Sequence, residues 1–428
     1  MTGFLDGILA FLVAGAFNLL TIYVLRARTR AADARFLIRL YAWAILLRYA
    51  LAVLLNMFVT DSAVATAFWG DSGSYDTGGY QLAQRWSGEP ITTAYMSTSI
   101  SGYGWVYFVG TVYYLFGRNQ LLVQLLNGLM GGITVLVIYA IAAKLFDRPA
   151  ARWAAIFMAF FPQMVFWSTG MYKDPAILLC IAVSMYAVVE LRERLSVPQV
   201  CLFVLAEVVL ITLRFYIAYF VALAAIATFV FGQRRGVIRM AFTYAVLGAL
   251  LFGALTVAVK RETLEQQTTY VSLERLQVTR GDQAMWSSSG FGQEYDVSTP
   301  SGALATLPVG LVYLLFAPFP WAISGLRQAL VAPETLVWYA LMPAFVRGLT
   351  LGIKRQFRAI LPILVFAVSL TLAYALMQGN VGTAYRQRTQ ITMFFFIFMA
   401  VGLVEKKRQR LAKVAASEMI PVGLHRQS

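Results

Sequence analysis

One histidine, His425, and two cysteines, Cys180 and Cys201, are all that 428 residues provide of the side chains that most often carry metals and nucleophilic chemistry. His425 sits in a polar tail, which removes every catalytic triad built on histidine. Both cysteines fall inside apolar runs, so neither a disulfide framework nor a thiolate metal site is expected. Charge is scarce as well: 13% of residues are charged, and 20 acids stand against 35 bases. What fills the chain is apolar, 60% by count. That proportion excludes an ordinary soluble globular protein and marks an all-α polytopic membrane protein. The net charge of +15 raises nucleic acid as a partner. The bases, however, lie in short clusters between apolar runs, as cytoplasmic loops carry them, and this speaks against nucleic-acid binding. Chemistry is left to Asp, Glu, Lys, Arg, Tyr or a metal.

Apolar runs and basic clusters together predict about eleven transmembrane helices: Phe4–Leu25, Tyr41–Thr60, Leu121–Leu145, Ala150–Trp167, Ala176–Leu191, Val197–Leu213, Phe215–Phe231, Val237–Val259, Leu330–Leu351, Ala359–Met377 and Ile391–Val404. The first is followed by Arg26, Arg28 and Arg30, which places the N-terminus outside and the C-terminus inside. Ala305–Ile323 is apolar but broken by Pro308, Pro318 and Pro320, and counting it as a span would put Lys354, Arg355 and Arg358 outside. It is therefore expected to be re-entrant or interfacial. Residues 1–405 then form one transmembrane domain with exterior loops 61–104 and 260–328, and residues 406–428 a cytoplasmic basic tail. The first loop holds a helix capped by Asp71 or Ser72, with apolar positions Tyr75, Leu82 and Trp86, ended by Gly88 and Pro90. Gly104–Phe116 is too short to span and rich in Tyr and Trp, so it too is expected at the interface.

If basic residues orient the chain, those left on the exterior side need another reason. They are Lys173, Arg214, Arg386 and Arg388, the last two within Tyr385-Arg386-Gln387-Arg388. Arginine meets a phosphate with two parallel hydrogen bonds. On the same side lie Asp71 and Asp76, in Phe68-Trp69-Gly70-Asp71-Ser72-Gly73-Ser74-Tyr75-Asp76, and Asp174, in Ser168-Thr169-Gly170-Met171-Tyr172-Lys173-Asp174-Pro175. Each has a plain reading by itself: a helix cap, a dipole partner, a headgroup anchor. Their convergence on one face instead describes a site for a lipid phosphate donor. Arg48 and Glu207 fall mid-span, where an unpaired charge costs roughly 2.5 to 3.5 kcal/mol, so both must face protein or a wet cavity. Glu207 and Arg214 share a helix face, which suggests a polar track toward the site.

The acidic motif with Tyr75 in a first exterior loop, Phe116-Gly117 before a span, Phe161-Pro162-Gln163 ahead of Lys173-Asp174, and Tyr385 to Arg388 resemble the C-type integral membrane glycosyltransferases. Within them the chain is most similar to the dolichyl-phosphate-mannose protein mannosyltransferase and aminoarabinose transferase branch. The usual close pair of first-loop acids is replaced here by Asp71 and, five residues on, Asp76. The resemblance implies that Asp71 and Asp174 are catalytic and that Arg386, Arg388, Lys173 and Tyr385 bind the donor phosphate. Tyr75, Asp76 and Arg214 would line the substrate pocket. It leaves room for a divalent cation, Mg or Mn, on Asp71 and Asp174. The implied partners are a polyprenyl-phosphate-linked sugar and a lipid, glycan or protein acceptor. The implied reaction is an inverting transfer on the non-cytoplasmic face of the membrane. Two other readings stay open: a polymerase for O-antigen or exopolysaccharide using lipid-linked oligosaccharide, and a transporter of lipid-linked substrate.

Overall fold

Why an apolar helix stops where it does is decided locally here. In the computed structural model, which describes residues 2–58, 71–90, 103–194, 196–231, 272–285, 289–292, 295–323 and 326–418, helix α1 (Thr2–Arg28) and α2 (Ala31–Phe58) come first. α3 (Ser72–Trp86) and α4 (Tyr103–Phe116) follow, then α5 (Gln120–Leu145). The predicted span Val237–Val259, the acids Glu262, Glu265 and Glu294, and Phe68 to Gly70 lie outside the described residues. α6 (Arg148–Phe160) starts where Asp147 accepts a hydrogen bond from the Ala150 amide at 2.9 Å. It stops because Pro162 has no N–H for the Met158 carbonyl. The predicted span Ala150–Trp167 is thus corrected to a 13-residue helix, a break, and the single turn α7 (Pro162–Phe166). Arg48 resolves the break. Its guanidinium donates to the carbonyls of Met158, Ala159 and Ala44 at 3.2, 2.9 and 3.0 Å, which explains a fully buried arginine in the middle of α2.

The chain continues as α8 (Asp174–Glu193), α9 (Val197–Phe231), α10 (Leu273–Met285), α11 (Pro300–Phe316), α12 (Leu326–Met377) and α13 (Val381–Glu418). Seven of these helices, α1, α2, α5, α8, α9, α12 and α13, are long and apolar enough to cross a membrane, and the described residues contain no strand. The expected count of eleven differs partly because α9 and α12 each hold two predicted spans. α9 breaks at Arg214 and α12 at Gln356, both between the predicted pairs. The arms of α12 lie side by side, since Phe345 and Phe366, about ten residues either side of the break, both touch the Phe394–Phe398 stretch of α13. α12 and α13 cross closely at Gly348 and Gly402, where a Cβ on either would overlap the other helix's backbone.

The helices define two ends. One holds Arg355 on Glu405, Arg408 on Asp147, Lys144 between Glu190 and Glu193, and Arg148 and Arg152 on Asp33. The other gathers the starts of α3, α8 and α13. α11 begins and ends near this second end: Val297, just before it, meets Gln277, and its last carbonyls meet Trp338, Tyr339 and Arg388. It does not reach the Arg355 end. Up to Glu418, the tail expected from residue 406 is a continuation of α13.

Candidate active site

Six residues between α7 and α8, Ser168 to Lys173, are buried without regular structure, so their carbonyls must find donors from elsewhere. Asn127, in the apolar run of α5, donates to the carbonyls of Gly170 and Tyr172 at 2.6 and 2.8 Å. The Trp105 indole donates to Met171 at 2.9 Å, and the Met171 amide donates to Ser72 Oγ at 3.1 Å. The last bond ties the start of α3 to the turn before α8. It brings Asp71 and Asp174 to one place.

Asp71 precedes α3 with helical angles (φ −66°, ψ −13°) and makes no capping hydrogen bond with its side chain. Its carboxylate, 60% exposed, accepts instead from Arg386 Nη1 at 3.0 Å through Oδ2. Asp174 is fully buried, and its Oδ2 accepts from Arg386 Nε at 2.8 Å and Nη2 at 2.5 Å. Arg214, at the break in α9, places Nη2 3.9 Å from the remaining Oδ1. The Arg386 guanidinium also lies over Tyr172 and Trp167, 4.7 and 5.1 Å from the ring centroids. One cation is thus held by two acids on its edges and two aromatic rings on its face.

Lys173 lies 5.9 Å from the centroid of Tyr75. Burial, with the Arg214 charge adding to it, pushes the Lys173 ammonium down to about 7. Burial and the charge of Asp71 raise the Tyr75 hydroxyl above its ordinary value, so it stays a neutral donor. Asp71, Asp174, Lys173, Tyr75, Arg214 and Arg386 therefore share one site.

Three predicted site residues point elsewhere. Asp76 is buried between Tyr113, whose hydroxyl donates at 2.6 Å, and Arg118, paired at 2.5 Å; it fastens α3 to α4. Arg388 is 1% exposed and donates to the carbonyls of Leu315 and Ala317 at 2.8 and 3.1 Å, closing the C-terminal end of α11. Tyr385 is likewise buried, with its hydroxyl on Glu334 at 2.9 Å and its carbonyl accepting from Gln163. The physical reason is register: α13 starts at Val381, so positions 385, 386 and 388 are helical, and residues one or two apart do not face one another. The expected pairing of Arg386 with Arg388 is not seen: Arg386 shares its surroundings with Arg214 and Lys173 instead. Trp167, Tyr172, Asn127 and Ser72 complete the site without having been assigned to it. Asn127, an amide inside an apolar run, is the visible signal.

The donor set does not fit a divalent cation as arranged. Asp71 and Asp174 each give an oxygen to Arg386, so the guanidinium fills the space between them, and Arg214 and Lys173 add positive charge. Among the described residues no three His, Cys, Asp or Glu side chains converge.

The comparisons with known proteins agree with the resemblance read from the sequence: a family model matches part of the chain, and solved membrane glycosyltransferases share its fold. The sequence model described as dolichyl-phosphate-mannose-protein mannosyltransferase matches residues 103–259, from α4 past the end of α9. Among solved structures, the archaeal oligosaccharyltransferase AglB from Archaeoglobus fulgidus, in complex with an inhibitory peptide and a dolichol-phosphate, superposes with a TM-score of 0.56 at 13% identity, over 93% of this chain and 53% of that one. The Archaeoglobus fulgidus oligosaccharyltransferase in complex with Zn and sulfate gives 0.52 at 15%, over 90% and 51%. Its apo form gives 0.52 at 14%, over 92% and 52%. The chain thus spans about half the length of these structures. No curated protein matches it in sequence.

Proposed function

We propose that the chain transfers a sugar from a polyprenyl-phosphate donor to a hydroxyl acceptor on the non-cytoplasmic face of the membrane, with inversion. The observation that carries this reading is Arg386 bridged between an exposed and a buried aspartate at one end of an apolar helix bundle. The fold likeness and the sequence match over residues 103–259 support the same class of chemistry.

Magnitudes order the steps. The Arg386–Asp71 bond is half open to solvent, and exposed ion pairs contribute about 0 to 1 kcal/mol. The Arg386–Asp174 pair is buried, and breaking such a pair costs roughly 3 to 5 kcal/mol. An arriving phosphate therefore takes Arg386 from Asp71 while Asp174 keeps it in place. Asp71, released, accepts the proton of the acceptor hydroxyl. That oxygen bonds to the anomeric carbon as the bond from carbon to phosphate oxygen breaks, through an oxocarbenium-like transition state. The bonding pair leaves with the phosphate, whose growing charge Arg386 and Arg214 stabilise; a fixed donor of this kind is typically worth about 3 to 4 kcal/mol. No step is routed through a metal, because the guanidinium stands between the acids that would hold one.

Incubating the purified protein in nanodiscs with a polyprenyl-phosphate sugar and a hydroxyl acceptor should release free polyprenyl phosphate. Intact donor in the presence of competent acceptor would contradict the reading. Lys173 adds a pH signature. Below about pH 7 its ammonium is charged and adds to the phosphate site, so the donor KM should be lowest there and rise as pH passes through 7. Lys173→Met should show a high KM without that rise; an unchanged profile would remove Lys173 from the site. For sidedness, cysteines placed at Asp282 and Lys354 should label from opposite faces of sealed vesicles, the first from the non-cytoplasmic face. Labelling of both from one face would overturn the topology.

A further inference from the structure

At the end of the bundle opposite the active site, α2 and α6 run side by side with matched sequences of side chains. On α2, Arg35, Arg39 and Trp43 follow one another at four-residue spacing; on α6, Arg152, Ile156 and Phe160 do the same. Residues four apart stack on one helix face, so each helix presents a stripe. The stripes are aligned, because Arg152 and Arg148 meet Asp33 near the start of α2 while Arg48, further along α2, meets the last carbonyls of α6. Both stripes are therefore cationic at the same end and apolar toward the middle. Between them lies a groove of about 540 Å³ lined by these six residues with Phe36 and Leu40.

Charge in this groove is not balanced. Asp33 is the acid that Arg148 and Arg152 share, and Arg152 also lies over the Phe36 ring at 5.0 Å. Arg35 and Arg39 are exposed and meet no carboxylate among the described residues. Below them, Trp43 is 63% and Phe160 41% exposed, an apolar surface no other described helix covers. A groove that is cationic at its mouth and aromatic at its depth is complementary to an amphiphile with an anionic head and acyl chains. Basic pockets between helices at a membrane face take such headgroups.

We infer that this groove binds an anionic phospholipid of the leaflet opposite the active site, with its phosphate on Arg35 and Arg39 and its acyl chains against Trp43 and Phe160. The occupant is a lipid, because the aromatic depth offers nothing to a soluble phosphate.

The test uses the full chain in nanodiscs of phosphatidylcholine containing phosphatidylglycerol, with lipid retention after delipidation read by native mass spectrometry. Arg35→Gln with Arg39→Gln should weaken phosphatidylglycerol retention about thirtyfold, roughly fivefold per arginine, and leave phosphatidylcholine unchanged. Lys406→Gln with Lys407→Gln removes the same charge from the same end outside the groove and should change retention little. Trp43→Ala should weaken phosphatidylglycerol without altering the arginines. Because these side chains are exposed, thermal unfolding in detergent should match wild type. Equal losses in both double variants would mean general attraction to the membrane surface and overturn the site. So would competition by inorganic phosphate at equal strength, or full retention by the Arg35, Arg39 variant.

Discussion

Asp71→Asn should lower the turnover number for sugar transfer by about a hundredfold to ten-thousandfold, the range lost with a general base, and leave the donor KM within a few fold. The substitution keeps size and removes the proton acceptor. The usual objection, that an aspartate at a helix start is a cap whose loss unfolds something, does not apply, since the Asp71 carboxylate makes no capping hydrogen bond. It is also the more exposed of the two acids on Arg386, so its loss leaves the buried Arg386–Asp174 pair intact. Unfolding midpoints of the variant should therefore match wild type. Turnover within threefold of wild type would return Asp71 to an ordinary surface acid.

Arg386→Lys and Arg388→Lys should have opposite signatures. Lysine at 386 keeps charge but cannot place two donors on Asp174 while offering a third to phosphate, so donor use should fall at least about a hundredfold. Arg386→Ala also removes both hydrogen bonds on Asp174 Oδ2 and leaves that buried carboxylate only Arg214 at 3.9 Å, at a cost of up to about 3 to 5 kcal/mol of stability. Asp174→Asn added to it should recover stability but not activity, because the amide needs no counter-charge. At 388 the order reverses. That guanidinium binds carbonyls at the end of α11, and lysine there should lower the unfolding midpoint while the folded enzyme keeps its donor KM. A raised donor KM in Arg388→Lys with unchanged stability would reinstate the two-arginine clamp.

How far the sequence could be read follows from which forces are local. The helical class and the basic end of the bundle follow from apolar runs and clustered arginines, both local signals. The break between Leu213 and Phe215 is legible from the two apolar runs that flank Arg214, and the one at Pro162 from the proline itself. The convergence of Asp71, Asp174 and Arg386 was expected from shared sidedness, but their pairing depends on a bridge across 315 and 212 positions of sequence. No local rule encodes such a bridge. Tyr385 and Arg388 part from Arg386 because all three lie inside α13, where residues one or two apart face different ways and Arg388 instead stacks on Tyr385 at 5.2 Å. Asp76 shows the converse case: an acid near the site in sequence is absorbed by tertiary contacts, with Tyr113 of α4 and with Arg118 in the link after it.

The measurement that tests the central claim most directly is the position of the lipid phosphate in a structure of the protein with polyprenyl phosphate in a bilayer mimetic. The account predicts phosphate density in hydrogen-bond reach of Arg386, with Asp174 still paired to that arginine and Asp71 released from it. Phosphate density away from Arg386, with the Asp71–Arg386 bond unbroken in the occupied protein, would contradict it.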